Sequence, residues 1–247
     1  MKKKLLKLAR FTFDSLFLLN GKKRTIDWNG HKIKWYLSSM STYSASKSCT
    51  WREPITNKWI DTFKQGEVFY DIGASIGIYS LYAAKKGCKV FAFEPTFHSY
   101  YVLNRNIIMN DLDITAFCIA IDKDISFGNM YLGNLDDGQT GAYFKHETEK
   151  TKFIQGTTSC NVDTLVKYLP FPNHIKIDID KNEIKVIQGM KEILKDNRLK
   201  SILIEVKGDI IPICKFLFDY HFVIKEKQLL NKKQEISNYV FRRLKNV

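Results

Sequence analysis

Two sets of residues in this sequence have the types and the spacing that chemistry needs. The first is Asp71-Ile72-Gly73-Ala74-Ser75-Ile76-Gly77, followed 23 positions after Asp71 by Glu94. Small residues at a strand-to-helix turn let the backbone approach a ligand closely, and parallel sheets bind ligands at the carboxyl ends of their strands. An acid closing the next strand accepts hydrogen bonds from the two hydroxyls of a ribose. The pair therefore points to an adenosine-type cofactor rather than a bare phosphate. The second set is His174-x-x-x-Asp178-x-Asp180-x-x-Glu183. Its carboxylates suit the removal of a proton from a hydroxyl. On a strand, Lys176, Asp178 and Asp180 share one face, and Ile175, Ile177 and Ile179 the other. Asp178, near the strand's carboxyl end, admits three roles: base, acceptor-binding group, or orienter of another residue. Asp180 and Glu183 also read as a helix cap and a first-turn charge. His174 lies at the far end of the strand and reads as structural. The same acids suit a divalent cation, but nothing in their spacing fixes a ligand set, and no metal is assigned.

The turn narrows the choice of cofactor. A dinucleotide fingerprint, G-x-G-x-x-G, needs glycine where Ser75 stands. It also keeps acid away from the helix N-terminus that meets a pyrophosphate, whereas Asp71 stands just before this turn. An acid there favours a cationic ligand, such as a sulfonium that also carries an ammonium group. No Gly-Lys-Ser/Thr occurs, so a Walker-type nucleotide loop is excluded. A nicotinamide-dependent oxidoreductase on the same kind of sheet is the alternative enzyme. A catalytically silent membrane- or nucleic-acid-binding relative is the alternative outside enzymes.

These residues need elements to hold them. Val68–Ile72 reads as a buried strand, and Ile78 to about Lys86 as a helix stopped by Gly87. Strand Lys89–Phe93 follows, then a helix from about Phe97 to Met109, then strand Ile114–Ile121. Residues 122–160 are rich in turns, with a short strand at Asn129–Leu132. Asp163 is expected to cap a short helix to Tyr168. His174–Ile179 is a strand, Glu183–Lys195 a helix, Lys200–Val206 a strand and Ile210–Tyr220 a helix. Phe222–Lys227 and Ser237–Arg242 close as a hairpin. Alternating strands and helices imply an α/β, doubly wound, mostly parallel sheet, and the final pair implies an antiparallel edge. Before all this, residues 4–19 form a basic amphipathic helix with Leu5, Leu8, Leu16 and Leu19 on one face. Thr25–Leu37 forms a hairpin about Asn29-Gly30.

Composition agrees with one such domain. The 247 residues are 45% hydrophobic and 26% charged, with 13 glycines and 5 prolines, enough apolar material for a core. Apolar runs such as Ile72–Ile78 are far too short to span a bilayer. The net charge of +13 is placed at the ends. Residues 1–34 hold ten Lys/Arg against Asp14 and Asp27, residues 221–247 seven against Glu226 and Glu235, and the middle is neutral. A neutral body with basic ends does not suit a nucleic-acid binder. It suits solubility or peripheral contact of residues 1–34 with an anionic membrane surface. Five cysteines, an odd number with no C-x-x-C pair, indicate a reducing, cytoplasmic setting rather than a disulfide framework or zinc ribbon.

Five blocks, taken in order, carry a resemblance. VFYDIGASIGIYSLYAA, VFAFEPTFHSYYVLNRNIIMN, AIDKDISFGNMYL, HIKIDIDKNEIKVIQGM and SILIEVK resemble the FkbM-type S-adenosylmethionine-dependent methyltransferases. The likeness runs from about Trp51 to Phe241. It implies a class I, Rossmann-like methyltransferase domain over residues 51–247, with residues 1–50 as an N-terminal extension. It further implies S-adenosyl-L-methionine as cofactor, with Asp71, Gly73, Ala74, Ser75 and Gly77 at its methionyl part and Glu94 at its ribose. Ala120, Ile121 and Asp122 would lie beside the adenine. Glu53-Pro54-Ile55-Thr56 resembles the family's entry to the site and is expected to cover the cofactor. Asp178 and Glu183, from the second set, are the expected catalytic residues. The implied reaction is O-methylation of a hydroxyl on a sugar, glycan or secondary metabolite, and the charge pattern adds the expectation of no specific nucleic-acid partner. Two positions depart from the family pattern: Ser75 stands where Asn is usual, and Lys181 where Gly is usual.

Overall fold

The computed structural model describes residues 21–132, 143–145, 153–179 and 182–244. The expected amphipathic helix at 4–19 lies outside these, as do Asp180 and Lys181. The chain opens on the expected hairpin, β1 (Lys22–Trp28) and β2 (His31–Leu37), with Asn29 and Gly30 both at positive φ. Two helices follow, α1 (Met40–Ser48) and α2 (Pro54–Asp61). Then come β3 (Val68–Ile72), α3 (Ile78–Lys85), β4 (Lys89–Phe93), α4 (Phe97–Asn110) and β5 (Ile114–Phe117). A second group of strands is β6 (Ala120–Ile121), β7 (Ser126–Leu132), β8 (Tyr143–Lys145) and β9 (Phe153–Cys160). The chain continues with α5 (Val162–Leu165), β10 (His174–Ile177), α6 (Glu183–Gln188), a 3-10 turn at Ile193–Lys195 and β11 (Ser201–Lys207). It ends in α7 (Ile211–Phe218), β12 (Phe222–Asn231) and β13 (Ile236–Arg243).

Seven strands make the main sheet in the order β12-β13-β11-β10-β3-β4-β5. Its five inner and right-hand strands, β11 to β5, run parallel, and β13 and β12 complete it antiparallel. Order and direction match the doubly wound sheet with an antiparallel hairpin edge. Period-2 alternation divides the strand residues between two buried layers. Tyr70, Ile72, Ile175, Ile177, Ile202 and Ile204 pack on one side. Phe69, Val90, Leu203 and Val240 pack on the other, with Leu81 of α3 and Trp59 of α2. That second face turns polar towards the carboxyl ends of the strands, where Asp71, Lys176, Glu205 and Asn238 stand.

The N-terminal hairpin is not a detached appendage. Trp28, Ile33, Trp35 and Leu37 are buried in the same cluster as Phe69 and Leu81, and Trp28 stacks on Tyr82 with ring centroids 4.3 Å apart. Burial of each such side chain stabilises by about 1.5–3 kcal/mol. Two asparagines one turn apart on α4 satisfy the outer edge of β2. Asn106 Oδ1 accepts from Tyr36 N–H, and Asn110 both accepts from Lys34 N–H and donates to Lys34 C=O.

Several expected elements are rearranged. Strand 114–121 breaks in two, because Ala120 and Ile121 leave the main sheet to pair with Ser159 and Cys160. The described residues within 122–160 supply β7, β8 and β9 of a second sheet, in the order β6-β9-β7-β8. Asn161, not Asp163, caps α5, accepting from Thr164 N–H. The Asp163 carboxylate instead receives the N–H groups of Glu192 and Ile193. The helix from Glu183 ends at Gln188 with Gly189 as its C-cap, packed against the Asp122 carbonyl, where a Cβ would be 2.7 Å from that oxygen.

A buried polar chain closes the amino end of β10. Trp59 Nε1–H donates to Ser201 Oγ, which leaves the Ser201 hydroxyl proton for His174 Nδ1. His174 Nε2 therefore carries the ring proton and donates to Glu67 Oε2 at 2.8 Å, and Phe63 stacks on the ring. Burial lowers the His174 pKa to about 4 despite the Glu67 carboxylate, so the pair is a hydrogen bond of a neutral ring at pH 7. Burial would raise Glu67, but its bonds from Lys200, Lys64 N–H and His174 bring it down to about 2. Both shifts destabilise the fold in acid. The unfolded chain protonates His174 below 6.5, which the folded chain resists until about 4. The contribution of His174, on the order of 3 kcal/mol, is therefore complete above pH 6.5 and lost as pH falls towards 4. That of Glu67 is lost between 4.5 and about 2. Urea melts from pH 7.5 to 4 should show the first loss, and His174→Gln should flatten it.

Candidate active site

The turn after β3 is shaped by backbone conformations that few side chains tolerate. Gly73, Ser75 and Gly77 all have positive φ, at 78°, 50° and 89°. At Gly73 a Cβ would lie 1.9 Å from the carbonyl oxygen of Asp178, so glycine lets the turn press against the end of β10. At Gly77 a Cβ would meet Leu103 of α4 at 2.5 Å. Four N–H groups of this turn are spent internally. Gly73 and Ala74 donate to Phe93 C=O, Gly77 donates to Ala74 C=O, and Ser75 donates to Glu94 Oε2. A pyrophosphate needs such groups to point at it, so their commitment argues against the dinucleotide alternative.

Beside the turn lies a cavity of about 630 Å³. Asp71, Gly73, Ala74 and Ser75 line it, together with Tyr79, Lys176, Asp178, Glu53 and Glu205. Met40, Ser41, Ser44 and Ala45 of α1 form another part of its wall, and Arg52 also lines it. The strand face explains the grouping. Lys176 is in register with Asp71, and Glu205 with Asn238. Asp178 follows Lys176 by two residues, just past the end of β10.

Lys176 is 1% exposed. Its ammonium donates to Asp178 Oδ2 and lies 4.9 Å from the centre of the Tyr79 ring. Burial alone would lower its pKa, but the carboxylates of Asp178, Asp71 and Glu53 outweigh that, and the pKa rises. Lys176 is therefore a permanent cation and no proton acceptor. Asp71, 1% exposed, has its pKa raised by burial, against the pull of Lys176 and Ser80. Its Oδ2 accepts from Ser80 Oγ at 2.6 Å, and its Oδ1 has no hydrogen-bond partner. A buried carboxylate oxygen on a cavity wall asks for a donor from a ligand, and the ammonium of an amino acid moiety fits it.

The sequence did not single out Glu205 or reveal what would hold Glu53. Glu53 precedes α2 and is buried, its Oε2 accepting from Thr56 Oγ1 and Asn238 Nδ2, both at 2.9 Å. Carboxylate oxygens of Glu53, Asp178 and Glu205 all lie within 4.8 Å of one another. A signal for Glu205 existed: Ile202, Ile204 and Val206 face one buried layer, which puts Glu205 on the Lys176 face at a strand's carboxyl end. Glu53 has no periodic signal, since only the packing of α2 on β13 brings it here.

Other expected site residues lie apart from the described cavity wall. Glu94 is buried, its Oε1 accepting from Thr96 N–H and Oγ1 and its Oε2 from Ser75 N–H. It thus braces the turn from the end of β4. Gly77 starts α3. Ile121 and Asp122 sit at the junction with the second sheet, where Asp122 N–H donates to Cys160 C=O. Glu183 opens α6 and is not one of the described residues that line the cavity. Among the described residues, no helix is long and apolar enough to cross a membrane.

Comparison with known proteins bears on the same span. The family description Methyltransferase FkbM domain matches residues 71–226. The hexuronic acid methyltransferase AglP of Haloferax volcanii is 21% identical over 186 residues, covering 74% of each chain. The tRNA (uracil(54)-C(5))-methyltransferase of Pyrococcus furiosus is 22% identical over 133 residues, which is 54% of this chain. The chain spans only 30% of that relative's length. Magnesium protoporphyrin IX methyltransferase (ChlM) from Synechocystis PCC 6803, solved with bound SAM, superposes with a TM-score of 0.50 at 10% identity, covering 83% of this chain and 84% of that one. At that identity the likeness is one of fold.

Proposed function

The chain belongs to the FkbM methyltransferase family, and from that premise we propose that it transfers a methyl group from S-adenosyl-L-methionine to a hydroxyl of a sugar, glycan or similar polyhydroxylated acceptor. The observation that carries this reading is the group of carboxylates from Glu53, Asp178 and Glu205 on the wall of the cavity that the glycine turn also lines. Carboxylates accept hydrogen bonds from hydroxyls, and one that is positioned takes the proton of the attacking oxygen. The relative that acts on a hexuronic acid is consistent with an acceptor of this kind.

When bound, S-adenosyl-L-methionine supplies a methyl group on a positively charged sulfur, open to in-line displacement. The turn at Gly73–Ser75 would hold its methionyl part, Asp71 its ammonium, and Glu94 its ribose. Ile121 and Asp122 remain the proposed neighbours of the adenine. Asp178 is the proposed base. Lys176 holds the Asp178 carboxylate in place. Glu53, tied by Thr56 and Asn238, and Glu205 orient the acceptor's other hydroxyls. Helix α1 closes the acceptor side, so the extension would contribute to the domain at 51–247. Glu183 is retained only as a first-turn charge.

Incubation of the full chain with methyl-labelled S-adenosylmethionine tests the proposal. The acceptors are lipid-linked and free glycans, simple uronic and neutral sugars, and structured RNA. Label in a sugar methyl ether is the expected result. Label in a carboxyl ester would move the reaction to another oxygen of the sugar. Label in a nucleobase would overturn the acceptor class.

A further inference from the structure

The charge of the cavity carries a consequence for the two forms of the cofactor. Among the described residues that line it, four are carboxylates, Asp71, Asp178, Glu53 and Glu205, and two are cations, Lys176 and Arg52. Lys176 is buried and already bonded to Asp178, whereas Arg52 is exposed. Three of the carboxylates crowd within 4.8 Å of one another. The fourth, Asp71, is buried with Oδ1 unpartnered. Like charges held this close in a partly desolvated site favour a ligand that brings positive charge.

Resting on the reading of this cavity as the cofactor site, we infer that Glu53, Asp178 and Glu205 form a charge-selective subsite, which holds the sulfonium form of the cofactor more tightly than the uncharged thioether left after methyl transfer. S-adenosylmethionine carries one more positive charge than S-adenosylhomocysteine, at the sulfur. The two are otherwise alike in adenine, ribose and amino acid groups. The carboxylates therefore act on the one feature that changes during turnover. Release of the spent cofactor is built into the site, because methyl transfer removes the charge that the subsite attracts. Glu53 and Glu205, on the wall that also orients the acceptor's hydroxyls, are specificity-determining residues for the charge of the cofactor in this scheme.

Calorimetry on the full chain tests this without any acceptor. The probes are S-adenosylmethionine, S-adenosylhomocysteine and sinefungin, which places a protonated amine near the position of the methyl-bearing sulfur. The two cationic probes should bind about tenfold or more tightly than S-adenosylhomocysteine, a difference that one unit charge near several carboxylates readily supplies. Glu205→Gln should shrink that ratio severalfold while leaving S-adenosylhomocysteine affinity and melting temperature unchanged. Glu53→Gln should shrink the ratio too, with the same unchanged thioether affinity as its control. Equal or tighter binding of S-adenosylhomocysteine by the native protein overturns the inference, as does a ratio that neither substitution moves. Saturable binding of Mn²⁺ alone, abolished by Glu205→Gln, would also overturn it by giving the carboxylates to a metal. If none of the three nucleosides binds, the cofactor reading itself fails, a result distinct from binding without preference.

Discussion

Gly73→Ala is expected to lower the melting temperature by roughly 10 °C and to abolish measurable cofactor binding. Two costs combine. Alanine at φ 78° pays the left-handed penalty of about 1–2 kcal/mol. Its Cβ would also stand 1.9 Å from the Asp178 carbonyl oxygen, which belongs to backbone and cannot swing aside. Forcing the turn and the end of β10 apart adds about 1–3 kcal/mol, and a total near 3 kcal/mol corresponds to the stated shift for a chain of this size. The same movement displaces Asp71, Ser75 and Asp178 from one another, so the site suffers with the fold. Gly208→Ala is the control. Gly208 has φ 87° but no atom within 4 Å of its would-be Cβ. It should show the conformational cost alone, with S-adenosylhomocysteine affinity unchanged by calorimetry.

Asp178→Asn separates chemistry from architecture. With an acceptor from the labelling experiment, turnover is expected to fall on the order of a hundredfold or more, the range for loss of a general base. S-adenosylhomocysteine affinity should stay close to native, because that thioether brings no charge for Asp178 to hold. The fold should persist because the asparagine carbonyl can still accept from Lys176, whose charge Asp71 continues to offset. Lys176→Met is the contrasting variant. It leaves the carboxylates of Asp71 and Asp178 without their buried cation, and breaking such a pair costs about 3–5 kcal/mol. Its melting temperature should drop sharply. Normal turnover in Asp178→Asn would leave the residue with no part in proton transfer.

The interplay of these variants reflects how the site is built. Asp178 carries the proposed chemistry, but Gly73 sets where its backbone lies and Lys176 sets where its carboxylate points. A substitution at either neighbour therefore acts on Asp178 without touching it. The hydrogen-bonded chain Trp59–Ser201–His174–Glu67 performs a separate task at the opposite end of the same strands. Polar residues of one sheet face thus serve stability at the amino ends and the candidate site at the carboxyl ends.

Much of this was legible in the residues themselves, for a local reason. A buried parallel strand, a glycine turn and a helix are set by neighbours a few positions apart, so Val68–Ile72, Gly73–Gly77 and Ile78–Lys85 could be read directly. The same holds for Lys176 and Asp178 sharing a face, since period-2 alternation is a property of one strand. What no local pattern reports is which strands become neighbours. Ala120 and Ile121 continue an apolar run, yet they pair with Ser159 and Cys160 because β9 offers backbone partners there. The N-terminal hairpin reads as an extension, yet its tryptophans are buried in the main core. Glu53 shows this most fully. It reaches the cavity because Asn238, 185 residues later, receives it from the strand beside Glu205. The sequence alone determined the turn, the cofactor class it suits and the strand that carries Asp178. Only the tertiary structure decided that Glu53 and Glu205 join Asp178, because their approach depends on strand order and helix packing, which long-range burial selects and local propensity does not.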